Sequence, residues 1–147
     1  MPTAESRAEV TWEGDLMSGG GNVTPGSGTF GTLPVTWASR TQRSAGKTSP
    51  EELIASAHAA CYAMAFSGAL AKAGHPPRSL RISAVTSFVS GEGPSRISTS
   101  VLEVEGDVPG IDQAEFERLA VEGEKGCPVS NALRNNVDIQ VKARLKG

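Results

Sequence analysis

The chain has 147 residues, enough for one domain around a single core, and its 14 basic and 16 acidic residues leave a formal charge of -2. It has no basic excess of the kind that phosphate-rich partners select, so nucleic acid is not an expected ligand. The opening segment, MPTAESRAEV, places no apolar stretch behind a basic start. A cytoplasmic protein is therefore expected, and in that reducing compartment a permanent disulfide is uncommon.

Residues 8–14, AEVTWEG, alternate with Val10 and Trp12 on one side and predict a half-buried strand. The glycine-rich run MSGGGNVTPGSG reads as an irregular connection to a second strand over residues 29–37. The polar stretch ASRTQRSAGKTS carries Arg40, Arg43 and Lys47 and reads as an exposed or site-covering loop.

Ser49-Pro50-Glu51-Glu52 then starts a helix: Ser49 suits the cap, Pro50 the first helical position, and Glu52 closes a capping box. The helix is expected to run to about residue 73, where Gly74 and Pro76-Pro77 stop it. Apolar residues surround it, through Leu53, Ile54, Ala57, Ala60, Cys61, Met64, Ala65 and Leu70, as on a central helix buried on most sides. Nineteen residues, 53–71, pass without a formal charge. Alanine dominates them, and Ser56, His58, Ser67 and Gly68 interrupt them, which argues for a core helix and against a membrane span.

Leu80, Ile82, Ala84, Thr86 and Phe88 alternate with more polar neighbours, and beyond the turn signal GEGPS a second strand over 96–105 completes a hairpin. Asp112 is placed to cap a helix burying Phe116, Leu119 and Ala120 and ending within 123–126. A short helix is expected after Cys127-Pro128, and Val137, Ile139, Val141, Ala143 and Leu145 predict a closing strand. The order implies one mixed α+β domain over residues 1–147, with antiparallel pairing. No GxGxxG or Walker loop follows a predicted strand, so nucleotide chemistry is not expected.

Two cysteines, Cys61 and Cys127, stand sixty-six positions apart. By itself Cys61 reads as a small core residue on an apolar helix face, while Cys127 in Gly126-Cys127-Pro128 sits at the cap or first turn of a helix, a position that favours a thiolate. Without CxxC spacing, any redox pair must be assembled by folding. His58 and His75 have no zinc-site spacing with the cysteines, so no metal and no cofactor are expected. His58 precedes Cys61 by one turn and is open to reading as a base or as a satisfied helical side chain. There is no GxSxG elbow for a serine hydrolase.

The segment TSPEELIASAHAACYAMAFSGAL, together with the later GCPVSNAL, resembles the two cysteine motifs of the OsmC/Ohr family of hydroperoxide reductases, with AHAACYAMA leaning toward the OsmC-like branch. The resemblance spans the chain from first strand to last. It implies an OsmC-like α+β fold, with antiparallel sheets around a long central helix in an intertwined homodimer. It also implies that Cys61 attacks the peroxide and Cys127 resolves the sulfenic acid as a disulfide. Glu51 matches the family's acidic residue and Arg40 its arginine, with Arg43 in the same loop as the other choice. The implied partners are an organic hydroperoxide and a dithiol reductant, with lipoyl groups on a carrier protein as the candidate. The competing reading is a non-catalytic redox sensor or small-molecule binder on the same fold.

An apolar helix face raises a thiol's pKa, so Cys61 needs a fixed cation, the role that falls to Arg40 held by Glu51. Ten residues of helix separate Glu51 from Cys61 by about 15 Å. Two antiparallel copies crossing near Ser56, on the small run Ala55, Ser56, Ala57, Ala59 and Ala60, would set Glu51 of one chain against Cys61 of the other. A homodimer with shared sites is expected on this geometry.

Overall fold

The computed structural model describes residues 2–42 and 46–146, so the alternative arginine, Arg43, lies outside the described residues. The chain divides into two compact units, Met1–Pro50 and Glu51–Gly147.

In the first unit, strands β1 (Ala8–Glu13), β2 (Gly20–Pro25) and β3 (Leu33–Val35) form an antiparallel sheet in that order. The expected β1 is present, but all six of its residues are exposed, so the half-buried face that the alternation predicts is not seen within the chain. The glycine-rich run, however, is not an irregular connection: β2 lies within it and pairs with β1 along its whole length. Gly21 stands opposite Trp12, and a Cβ there would meet the indole Cε3 at 2.8 Å. Glycine at this position makes room for the ring. Its neighbours in the run therefore do not mark a flexible loop. Gly26 to Gly31 does carry GxGxxG spacing after β2, but it leads into β3 and opens no helix, so the dinucleotide context is missing.

The third strand is shorter than expected, because Thr36 caps a five-residue helix, α1 (Trp37–Thr41). Thr36 and Ser39 exchange side-chain-to-backbone bonds in a capping box, and the Ser39 hydroxyl also reaches the Thr48 carbonyl at 2.8 Å. Thr48 returns a backbone N–H to the Pro34 carbonyl at 2.9 Å. The stretch expected to be a loop is thus folded back along β3.

Helix α2 (Pro50–Lys72) opens at the proline and closes as the sequence predicts. Gly74, at φ 88°, takes the left-handed turn after its end, and the His75 N–H reaches back to the Leu70 carbonyl at 2.8 Å. Next come the strands β4 (Ser79–Val89) and β5 (Arg96–Asp107), the predicted antiparallel hairpin, and α3 (Gln113–Lys125), capped by Asp112. The last elements are α4 (Pro128–Leu133) and β6 (Asp138–Leu145).

One expectation is corrected here: β6 pairs parallel to β5. Two helices lie between these strands, and a crossover of that length returns the chain to the same end of the sheet before the next strand starts. At the other side of β6, the Gln113 side chain accepts from Leu145 N at 2.7 Å and donates to the Ala143 carbonyl at 2.9 Å, so α3 is tied to this strand by its first residue.

The core of this unit lies between the sheet and the helices. Tyr62, Phe66 and Leu70 of α2 pack with Leu102 and Val104 of β5 and with Phe116, Leu119 and Ala120 of α3. The Phe66 ring lies 5.5 Å from Tyr62 and 5.1 Å from Phe116, centroid to centroid. Burying each such ring contributes about 1.5–3 kcal/mol. The Tyr62 hydroxyl, driven upward in pKa by burial and by Glu124, donates to the Ala120 carbonyl at 2.9 Å.

The sequence suggests an α2 buried on most sides, but within one chain only one stripe is covered: His58, Tyr62, Phe66 and Leu70, four residues apart. The sheet and α3 occupy that side alone. Ser56, Ala60, Met64 and Gly68 line an exposed stripe, with Met64 72% exposed. By length and a mean hydropathy of 1.4, α2 would also pass for a membrane span, although its aromatic stripe is packed on protein.

Helices α2 and α3 approach closely at Gly123, where an added Cβ would lie 2.9 Å from the Phe66 Cα. The helix propensity gained by Gly123→Ala, about 1 kcal/mol, is smaller than the overpacking cost of about 1–3 kcal/mol against immovable backbone. The variant is expected to melt several degrees lower; an unchanged or raised Tm would show that the helices can separate at no cost.

Candidate functional site

The two cysteines come from elements that the sequence brings together only through the fold. Cys61 is half-buried on α2, next to the buried stripe, and packs against the core cluster that contains Cys127. Cys127 is fully buried, is the N-cap of α4, and accepts from the Ser130 N–H at 3.5 Å. Both are free thiols, and the Cys61 sulfur contacts the Cys127 side chain.

Burial pushes the Cys61 thiol above its ordinary pKa, and the neighbouring Cys127 pushes in the same direction. The nearby Val129 backbone N–H acts against both. The first turn of α4 therefore lies beside both sulfurs, with the Ser130 N–H bonded to Cys127 and the Val129 N–H near Cys61. An amide beside the sulfur favours the anionic form of Cys61 over its thiol.

His58 is fully buried one turn before Cys61. Its Nδ1 lies 2.7 Å from the Ser100 hydroxyl of β5, and its Nε2 lies 2.7 Å from the Ser130 hydroxyl of α4. Burial lowers its pKa, against a smaller opposing pull from Glu124 of α3. Glu124 itself stands 3.0 Å from Arg134 Nη2, an ion pair without hydrogen-bond alignment. The sequence singles out His58 without assigning it a role; the serines, 42 and 72 positions away, leave no local signal. The other histidine, His75, follows the end of α2. Among the described residues, no three of His, Cys, Asp and Glu gather as a metal-binding group.

In the first unit, Arg40 occupies the last turn of α1, half-buried, with its guanidinium carbon 6.0 Å from the centre of the Trp37 ring. Capping by Thr36 and the Ser39–Thr48 bond fix the helix that carries it. In the second unit, Glu51 is buried in the first turn of α2. Because α2 is continuous from Pro50 to Lys72, Glu51 and Cys61 of one chain stay about 15 Å apart along the axis. A shallow concavity of about 330 Å³ on the outer face of the second sheet, lined by Arg81, Glu103, Lys142 and Arg144 among others, holds neither cysteine. Its charges are paired across the strands, Lys142 with Glu103 and Arg144 with Glu105.

A family described as OsmC-like protein matches residues 43–142. The peroxiredoxin OsmC of Escherichia coli strain K12 is 36% identical over 143 residues, spanning 96% of this chain and 99% of that protein. An organic hydroperoxide resistance protein of Xanthomonas axonopodis pv. citri is 37% identical over 95 residues, 63% of each chain. Among solved structures, the organic hydroperoxide resistance protein OhrB of Bacillus subtilis superposes with a TM-score of 0.72 at 24% identity, over 94% of this chain and 98% of its own. An organic hydroperoxide resistance protein OsmC from Legionella pneumophila gives 0.75 at 23%, over 97% and 98%. At these identities the two structures establish the shared α+β fold.

The buried imidazole has a consequence for stability. Its pKa is lower in the folded chain than the ordinary 6.5, so the unfolded chain binds the proton more readily. Stability from this group is complete above that value and is lost as pH falls below it. Urea midpoints of the parent are expected to fall more steeply between about pH 7 and pH 5 than those of His58→Gln, which keeps a neutral side chain. Equal slopes would mean that His58 is not held neutral.

Proposed function

The chain belongs to the family of OsmC-like proteins, and from that membership we propose that it is a cytoplasmic thiol peroxidase that reduces organic hydroperoxides as part of an oxidative-stress response. The observation that carries the reading is the proximity of Cys61 and Cys127, two free thiols in one packed cluster beside the first turn of α4.

The Cys61 thiolate attacks the peroxide O–O bond. An S–O bond forms, the O–O bond breaks, and the departing alkoxide takes a proton to leave as an alcohol, with Cys61 oxidised to sulfenic acid. Cys127 then displaces the hydroxyl, which leaves as water, and the disulfide is returned to two thiols by a dithiol, itself oxidised to its disulfide. Lipoyl groups on a carrier protein are the proposed dithiol. No metal or organic cofactor is required by this sequence of steps.

Cys61 sits above its ordinary pKa, so peroxide attack at neutral pH needs a positive charge beside the sulfur. Arg40 fills that role, and Glu51 orients its guanidinium through a charge-assisted pair. With Glu51 and Cys61 about 15 Å apart along α2, the proposed site takes them from different chains of a homodimer in which each chain acts as one domain. The uncovered face of α2 supports this, with Ser56, Ala60 and Gly68 small enough for close helix approach. Strand β1 supports it too, since Val10 is 57% and Trp12 40% exposed in the single chain.

Steady-state turnover of cumene hydroperoxide with a dithiol reductant is expected for the parent and lost in both Cys61→Ser and Cys127→Ser, with sulfenic acid accumulating only in the latter. A Cys61→Ser variant with parental turnover would refute the assignment. One oxidation per chain without turnover would make the protein a redox sensor. Analytical ultracentrifugation at assay concentrations is expected to show two chains; a fully active monomer would remove the shared site.

A further inference from the structure

His58 takes no part in peroxide attack, resolution or recycling as proposed, yet its ring is fully buried with a polar partner at 2.7 Å on each nitrogen. It occupies one end of the stripe continued by Tyr62, Phe66 and Leu70, where an apolar residue would extend the core without the cost of desolvating an imidazole. What the imidazole adds is a connection: α2 is joined through it to β5 at Ser100 and to α4 at Ser130.

For α4 that connection is decisive. The helix has six residues, and Ser130 is its one buried residue. Pro128 and Asn131 face solvent, and Val129 is half-buried beside the core. A helix this short has little stability of its own, so its placement depends on what holds it. The same turn presents the Val129 N–H to Cys61 and the Ser130 N–H to Cys127, at 3.5 Å for the latter.

We propose that His58 is a positioning residue for disulfide closure, holding the first turn of α4 through the Ser130 hydroxyl so that Cys127 stays in attack range of Cys61. The inference rests on the peroxidase reading for its physiological oxidant. In the step concerned, the Cys127 sulfur bonds to the sulfur of Cys61 sulfenic acid, the S–O bond breaks, and the thiol proton leaves with the hydroxyl as water. His58 touches neither sulfur in this step. It acts by keeping the backbone between them in place.

The test is single-turnover kinetics on the full chain with cumene hydroperoxide, following sulfenic acid formation and disulfide closure separately, beside thermal melts. Ser130→Ala, which removes one hydroxyl and keeps the helix sequence otherwise intact, is expected to slow closure roughly ten-fold with sulfenic acid formation changed by less than about three-fold. His58→Ala is expected to do the same, and the double variant to close no more slowly than either, as for two residues acting as one unit. His58→Gln, neutral and able to donate and accept, is expected to recover closure to within about three-fold of the parent. Should His58→Ala fail to fold, Ser130→Ala and His58→Gln still decide.

Closure at the parental rate in Ser130→Ala, or equal slowing of both steps, would overturn the proposal and leave His58 as a structural residue only. A parallel arm uses diamide, which oxidises the thiol pair and departs as the hydrazine without any peroxide. If the parent fails with peroxide but closes with diamide, and the variants close slowly, the peroxidase reading falls and the positioning role stands. If the variants close with diamide as fast as the parent, the positioning role falls.

Discussion

One stripe of α2 determines where the rest of the second unit can lie. His58, Tyr62, Phe66 and Leu70 recur every four residues and all are fully buried. Tyr62, Phe66 and Leu70 pack the helix on Leu102 and Val104 of β5 and join it to α3 through the Phe66–Phe116 ring contact at 5.1 Å and a Gly123 that admits the Phe66 backbone. The fourth member is polar, and burying it obliges the surrounding elements to present a hydroxyl to each nitrogen. An aromatic stripe tolerates small rotations of its neighbours; two hydrogen bonds at 2.7 Å do not. The stripe therefore packs loosely specified apolar contacts at one end and directional ones at the other, and the sulfur of Cys61 sits beside the directional end.

That location sets two requirements against each other. A sulfur near the core is shielded from water and held still, which the proposed reaction with apolar peroxides would exploit, but the same burial favours the neutral thiol. The chain answers in part with backbone amides, since Val129 N–H opposes the effects of burial and of Cys127. One amide is weaker than a full charge, which is why the proposed function adds an arginine. Arg40 belongs to the first unit, on a helix fixed by a capping box and by the Ser39–Thr48 bond.

Much of this is legible in the order of the amino acids alone. The ends of α2, the β4–β5 hairpin, the Asp112 cap and the start of α4 at Pro128 each carry local chemistry that only one element satisfies. The failures share a different cause. The run containing Gly21 reads as irregular because glycine in isolation signals flexibility, whereas here it accommodates Trp12 from the neighbouring strand. Helix α1 leaves a weak signal because its box closes with Ser39 in place of Glu or Gln. At the site, both cysteines can be named from their motifs, but not the hydroxyls on His58, since Ser100 and Ser130 are ordinary serines in sequence. Long-range polar partners leave no periodicity to read.

The parallel pairing of β6 belongs to the same argument. Had β6 paired antiparallel to β5, as the sequence suggests, the chain would have started it from the end of the sheet where β5 finishes. The crossover instead lays α3 and α4 over the sheet face that α2 already covers, and the break between those two helices falls at Gly126-Cys127. A helix break exposes unpaired amides, which is what two sulfurs need. Gln113 at one end of the crossover bonds to β6, and His58 meets the other end at Ser130, so the segment carrying Cys127 is held at both its limits. The topology that looks like an exception to an antiparallel fold is what brings the second cysteine to the first.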